Sequence, residues 1–284
     1  MIKYVIPFFY TFYTRIKGNG KRVAYLFTFI FPVLIYALTV VYQDKLNYFL
    51  TIVAIIISLT GTMSIYEIGY IRNDVFTIKK EKNPTLRLKR EELDYVENKI
   101  APILIIKYST AGLSVILAFI LRLDWTNYVI GLVLIEIFYF VHNSVRGKSS
   151  IVSFFILSTL RYITPIMILY TNVLTILGVF ILVISIPRTL EKAAEKKFKI
   201  EALSFIREGI NLNILRGIYY LGVMIYVVIQ AFITKMDLSY IVLAFYYLLY
   251  RGLIALGYLG KDYKKIKGWG NNKNENISFN ISLF

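Results

Sequence analysis

Apolar positions along this chain come in long blocks, with polar residues gathered between them. The apolar blocks cover residues 23–42, 47–71, 99–121, 125–142, 151–170, 173–187, 214–233 and 238–259, most of them near the roughly 20 residues that cross a bilayer as a helix. Most connections are short turns, such as Gln43-Asp44-Lys45 and the tight hairpin around Arg122 and Asp124. Residues 72–98 and 188–213 are different: both are long and hydrophilic, and loops of that length inside a compact fold are functional or disordered. Residues 1–22 form an aromatic, mildly basic lead-in, of which 1–17 read as an interfacial helix at the headgroups and 18–22 as a basic turn. Residues 260–284 read as a polar Lys- and Asn-rich tail. The pattern predicts an all-α, polytopic membrane bundle of about eight helices over residues 23–259.

Composition agrees. Hydrophobic residues make up 57% of the chain and aromatic residues 16%, with a mean hydropathy of +0.62, more apolar surface than a soluble domain of this size uses. The chain has no Cys, which excludes a disulfide framework and thiolate chemistry. The start of the chain lacks the small-residue cleavage site of a secretory signal. Placing alternate loops on one side puts 28 of the 33 Lys and Arg residues there and 3 on the other, with Lys107 and Arg161 inside spans. By the positive-inside rule both termini and both long loops face the cytoplasm. The net charge of +16 then belongs to one membrane face. It suits anionic lipid and phosphorylated substrates, with no nucleic-acid module behind it.

Candidate chemistry gathers at the two long loops. Asp74, Thr77 and Glu81 are spaced i, i+3 and i+7, one face of a helix. Carboxylates there can hold Mg²⁺, and Mg²⁺ a diphosphate. Asn73 adds a neutral oxygen ligand, with Arg87 and Lys89 downstream for phosphate charge. The second loop repeats the spacing with Arg188, Glu191 and Glu195. Ionisable residues also stand at membrane depth, where each needs pairing or water. Glu67 shares a face with Tyr70 and Asp74, and Glu136 with Tyr139, Asn143 and Arg146. Arg161 has no acidic neighbour in its own span, so Glu136 or Glu67 is its expected partner; Arg251 beside Tyr247 is a similar case. The competing explanations are a solvated charged face for the loops and structural pairing across helices for the buried charges.

Asn73-Asp74-x-x-Thr77-x-x-x-Glu81, followed by Asn83-Pro84-Thr85-Leu86-Arg87, resembles the first aspartate-rich motif of the UbiA superfamily of intramembrane prenyltransferases. Arg188-x-x-Glu191-x-x-x-Glu195 resembles its second motif, and Tyr139 to Lys148 its tyrosine and basic pair after the fourth span. The resemblance covers nearly the whole chain in helix order and loop placement. It implies a bundle around a lipid-lined central cavity capped by the two loops. It also implies Mg²⁺ held by Asn73, Asp74, Glu81, Glu191 and Glu195, and catalysis by Asp74, Glu81, Glu191, Glu195 and Tyr139. Asn73, Arg87, Asn143, Arg146, Lys148 and Arg188 would contact the diphosphate, and Glu67, Tyr70, Glu136 and Arg161 would line the cavity. The implied activity is transfer of a polyprenyl group from its diphosphate, or action on a related lipid phosphate, in the cell membrane. Thr77 and Arg188 depart from the pattern by replacing two aspartates, and Glu replaces Asp at 81, 191 and 195. A non-catalytic lipid-phosphate-binding membrane protein and a small-solute transporter are the rival classes.

This topology places residues 82 and 197 on the same side. Single cysteines at Lys82 and Lys197, in a background without Cys, are expected to react with an impermeant thiol reagent only from the cytoplasmic face. Labelling of either from outside contradicts the orientation.

Overall fold

The computed structural model describes residues 1–44, 47–80, 86–169, 172–208 and 211–266. Among them all regular structure is helical: α1 (Ile2–Val5), α2 (Phe9–Thr14), α3 (Asn19–Gln43), α4 (Tyr48–Thr77), α5 (Arg90–Asn98), α6 (Ile100–Ile120), α7 (Trp125–Ser144), α8 (Ser149–Ile163), α9 (Val173–Ala193), α10 (Phe205–Glu208), α11 (Leu212–Ile233) and α12 (Leu238–Ile266). Among the described residues seven helices, α3, α4, α6, α7, α9, α11 and α12, are long and apolar enough to cross a bilayer. Hydrocarbon offers backbone groups no water, so an apolar chain of this length satisfies them within helices. The chain is a multi-pass membrane protein.

The remaining expected span, residues 151–170, is shorter than its apolar run. Helix α8 has 15 residues, about 22 Å at 1.5 Å per residue, against a hydrocarbon core of roughly 30 Å. Pro165 accounts for the stop, because it carries no N–H to continue the helical ladder. Beyond it the bonding tightens, with Ile166 N donating to Ile163 O at 2.9 Å. A neighbouring helix meets the carbonyl at this break: Ser58 Oγ donates to Pro165 O at 2.7 Å.

The chain divides into two compact units, Met1–Leu177 and Gly178–Phe284. The division falls inside α9. In the first unit α4 is central, touching α3, α6 and α7. Residues 61–69 are buried on every side, as expected of a helix at the middle of a bundle rather than at its lipid-facing rim. Gly69 is required by this crowding: a Cβ there would overlap the Tyr139 ring of α7. Asn47 caps α4, its side chain accepting from Leu50 N at 3.1 Å, and Asp124 caps α7 through Asn127 N at 3.1 Å. In the second unit α11 and α12 pair along their lengths. Tyr219 and Tyr220 hydroxyls donate to Leu182 O and Val183 O at 2.6 and 2.8 Å, tying α11 to α9.

Three of the long helices contain a π-helical turn: Leu26–Ile30 in α3, Asn73–Thr77 in α4 and Ile181–Ser185 in α9. Such turns are rare and concentrate at functional sites. The second coincides with the Asn-Asp motif, and the third ends at Ser185, with Ile186 between it and Pro187-Arg188.

Residues 1–16 fold back onto the polar end of α4. Tyr4 and Tyr10 join Ile71, Val75, Leu88, Val96 and Ile103 in one buried cluster, which draws α4, α5 and α6 together. Tyr10, Thr11, Thr14, Arg15 and Ile16 are all buried. Tyrosines of this segment thus supply core in addition to amphipathic surface.

Candidate functional site

The spacing of Glu67, Tyr70 and Asp74 puts them on one face of α4, and the N-terminal segment covers that face. Glu67 is completely buried. Its Oε1 accepts the Thr11 backbone N–H at 2.7 Å, and its Oε2 is ion-paired with Lys107 of α6. Lys107, also completely buried, donates as well to Ile6 O at 3.2 Å. Arg15 lies over the Tyr70 ring at 4.3 Å and holds Asp74 in a fork, Nη1 to Oδ2 at 2.6 Å and Nη2 to Oδ1 at 2.8 Å. Tyr10 OH adds a third donor to Asp74 Oδ2 at 2.7 Å. Burial and the Asp74 carboxylate raise the Tyr10 hydroxyl well above its ordinary value. For Arg15, burial alone would lower the guanidinium, but its bonds to Asp74 win and raise it. At the edge of this cluster Lys3 and Tyr13 both donate to Glu92 of α5. Burial would raise the Glu92 carboxyl, yet these bonds and one from the Lys89 backbone N–H hold it at about 2.

Arg87 stands beside this network with no hydrogen bond or ion pair among the described residues. It is half-buried. Burial and the Arg15 charge lower its guanidinium, and Asp74 opposes them only in part. Asn73, also half-buried, reaches Asp74 Oδ1 at 3.4 Å. Glu81 lies outside the described residues.

A pocket of about 450 Å³ opens at the same end of the first unit, lined by Arg72, Phe76, Thr77, Tyr139, Phe140, Asn143, Ser144 and Arg146. Tyr139 forms its inner wall as part of an edge-to-face cluster, 4.7 Å from Tyr66 and 5.9 Å from Tyr70. Asn143 Nδ2 donates to Gly69 O at 3.2 Å, and Arg146 Nη1 to Asn143 O at 3.1 Å and Val145 O at 2.9 Å. Arg72 is ion-paired with Glu136 and donates to Tyr108 OH at 2.9 Å. Phe76 and Phe140 are 49% and 73% exposed. Half of the wall is therefore apolar, and half presents donors. Lys148 is exposed at the start of α8 and is not among the lining residues.

In the second unit the other motif is paired in the same way. Arg216 of α11 forks onto Glu191, Nε to Oε1 at 2.6 Å and Nη2 to Oε2 at 2.7 Å. Glu195 meets Lys192 and Lys197, each at 3.0 Å. Arg188, one turn before Glu191, is half-buried in α9. No family model matches the chain, and neither does any curated protein or any solved structure.

These pairings bear on Mg²⁺. The ion needs near-octahedral oxygen ligands at about 2.0–2.1 Å, whereas Asp74 and Glu191 each give both oxygens to an arginine. Among the described residues no three His, Asp or Glu side chains are grouped to hold a metal. As paired, the described carboxylates do not fit the metal set that the motifs imply.

Arg161 contacts neither Glu136 nor Glu67, against the sequence expectation. Both carboxylates already have cations, Arg72 and Lys107. The Arg161 guanidinium instead donates to Tyr25 OH at 2.5 Å and sits 4.5–5.0 Å from the rings of Phe29, Tyr25 and Tyr66. Sequence reasoning missed Tyr10, Arg15, Arg72, Lys107 and Arg216 as site residues. Of these five, Lys107 alone carried a visible signal, as a cation inside an apolar run.

Breaking one side of a buried pair leaves an uncompensated charge, at about 3–5 kcal/mol. Arg15→Leu and Asp74→Leu are each expected to destabilise the purified protein by about that much, and the double variant by clearly less than their sum. Additive losses in a denaturant or thermal titration contradict the pairing.

Proposed function

We propose that the protein binds the phosphate group of a membrane lipid, an isoprenoid phosphate or a related lipid phosphate, at the polar end of its first unit. The observation that carries this reading is the composition of the 450 Å³ pocket. Arg72, Thr77, Asn143 and Arg146 supply donors to an oxyanion, while exposed Phe76 and Phe140 face the region of the lipid chain. Charged guanidinium and amide donors make short, strong bonds to phosphate, and an apolar wall beside them suits an amphipathic ligand. Arg87 adds positive charge next to this end. We place the site on the cytoplasmic face of the cell membrane, where the Lys and Arg excess of the chain points.

Mg²⁺-dependent prenyl transfer of the UbiA kind is the second reading. In its favour, Thr77 of the first motif lines one pocket with Tyr139, Asn143 and Arg146, the residues of the third resemblance. It requires Asp74, Glu191 and Glu195 to leave the cations that now hold them.

Thermal stabilisation of the purified protein by farnesyl phosphate, farnesyl diphosphate and farnesol, each with and without Mg²⁺, separates the readings. Phosphate binding by arginines predicts stabilisation by both phosphates without Mg²⁺ and little by farnesol. Arg146→Ala is expected to weaken it by about 1.5–3 kcal/mol, the worth of a hydrogen bond to a charged group. Stabilisation that needs Mg²⁺ and comes with pyrophosphate release supports the transferase. Equal stabilisation by farnesol means that the pocket does not read phosphate.

A further inference from the structure

Two arginines are buried in the apolar helices with no ion pair among the described residues, and they differ in what surrounds them. Arg161 has a hydroxyl acceptor and three rings. Arg251 of α12 is 7% exposed and has one ring, Tyr250 at 4.8 Å. Its Nε and Nη1 are both buried without a hydrogen-bond partner. One cation–π contact offsets only a small part of what an unpaired buried charge costs. Arginine cannot shed its proton to escape that cost. The charge therefore calls for an anion that the described residues do not supply.

The surroundings of Arg251 narrow the class of that anion. Gly217 of α11 is the residue opposite: a Cβ there would stand 3.8 Å from Arg251 O and would overlap Ala255 Cβ. Gly217 lies five residues past the start of α11 at Leu212, about 8 Å along the axis from its polar end. An arginine at that depth is within snorkelling reach of the headgroup layer. One turn before Arg251, Tyr247 stacks on Tyr220 at 5.0 Å with a 12° interplanar angle, a flat apolar plate. A partner helix approaches no closer than about 8–10 Å between axes, which does not suit a side chain already nine-tenths covered. A small terminal group does. We propose that Arg251 anchors a second oxyanion site, in the second unit, for the phosphate or carboxylate of an anionic lipid.

The test uses the full-length protein, purified in detergent and stripped of lipid. Its thermal midpoint is titrated with phosphatidic acid, with oleate and with phosphatidylcholine. The wild type is expected to respond saturably to phosphatidic acid, to oleate or to both, and Arg251→Gln to require at least tenfold more of the same lipid. A response to phosphatidic acid alone assigns a phosphate, and one to oleate alone a carboxylate. Arg251→Leu removes an unpaired buried charge, so its ligand-free midpoint should equal or exceed that of the wild type. An equal response from Arg251→Gln overturns the site, as does an equal effect of phosphatidylcholine. A response lost in Arg146→Ala but kept in Arg251→Gln belongs to the first unit's pocket and also overturns it. A dimer in native mass spectrometry that Arg251→Leu abolishes assigns the arginine to a partner chain instead, against the proposal.

Discussion

A carboxylate inside a membrane helix must find a cation and enough donors, and Glu67 finds them in Lys107 and the Thr11 backbone. Much of the first unit follows from this. The ion pair fixes α6 against α4 at one depth, because neither group tolerates hydrocarbon alone. The second oxygen of Glu67 and the spare donor capacity of Lys107 take up Thr11 N–H and Ile6 C=O, backbone groups of a segment that is not helical throughout. Residues 1–16 can therefore enter the bundle without leaving these polar groups unmet. Arg15 and Tyr10 then reach Asp74 two turns further along the same face.

The same accounting changes the chemical meaning of the acidic motifs. Two carboxylates that the motif pattern offers as metal ligands, Asp74 and Glu191, are counter-ions for arginines 59 and 25 residues away in sequence. The polar end of the first unit still has Asn143 and Arg146 lining a pocket. Such a surface favours an anionic headgroup. Arg251 applies the rule in reverse: a buried cation with no anion among the described residues is what our second-site proposal rests on.

The spans were legible because hydrophobic length reports directly on bilayer thickness, and seven long helices fall on seven of the expected runs. In the remaining run the helix is shorter than the apolar stretch, because hydropathy does not register the missing N–H of Pro165, whose effect is to end α8 early. Helical spacing correctly grouped Glu67, Tyr70 and Asp74, which all meet the N-terminal segment. Past Asn73 a π-turn and then a 3₁₀ turn replace the α-helical step on which the spacing of Asp74, Thr77 and Glu81 rests, and Glu81 lies outside the described residues. The partners were not legible. Nothing local links Arg15 to Asp74 or Arg216 to Glu191, and the choice of Lys107 over Arg161 for Glu67 depends on which helices pack side by side.

Amide hydrogen exchange at Thr11, in protein reconstituted in nanodiscs, tests most directly whether the N-terminal segment is clamped to α4 by buried carboxylates. The account predicts protection at Thr11 comparable to the middle of α4, lost in Glu67→Ala while the amides of α11 keep theirs. A Thr11 amide that exchanges in the wild type as fast as in a free peptide would contradict it.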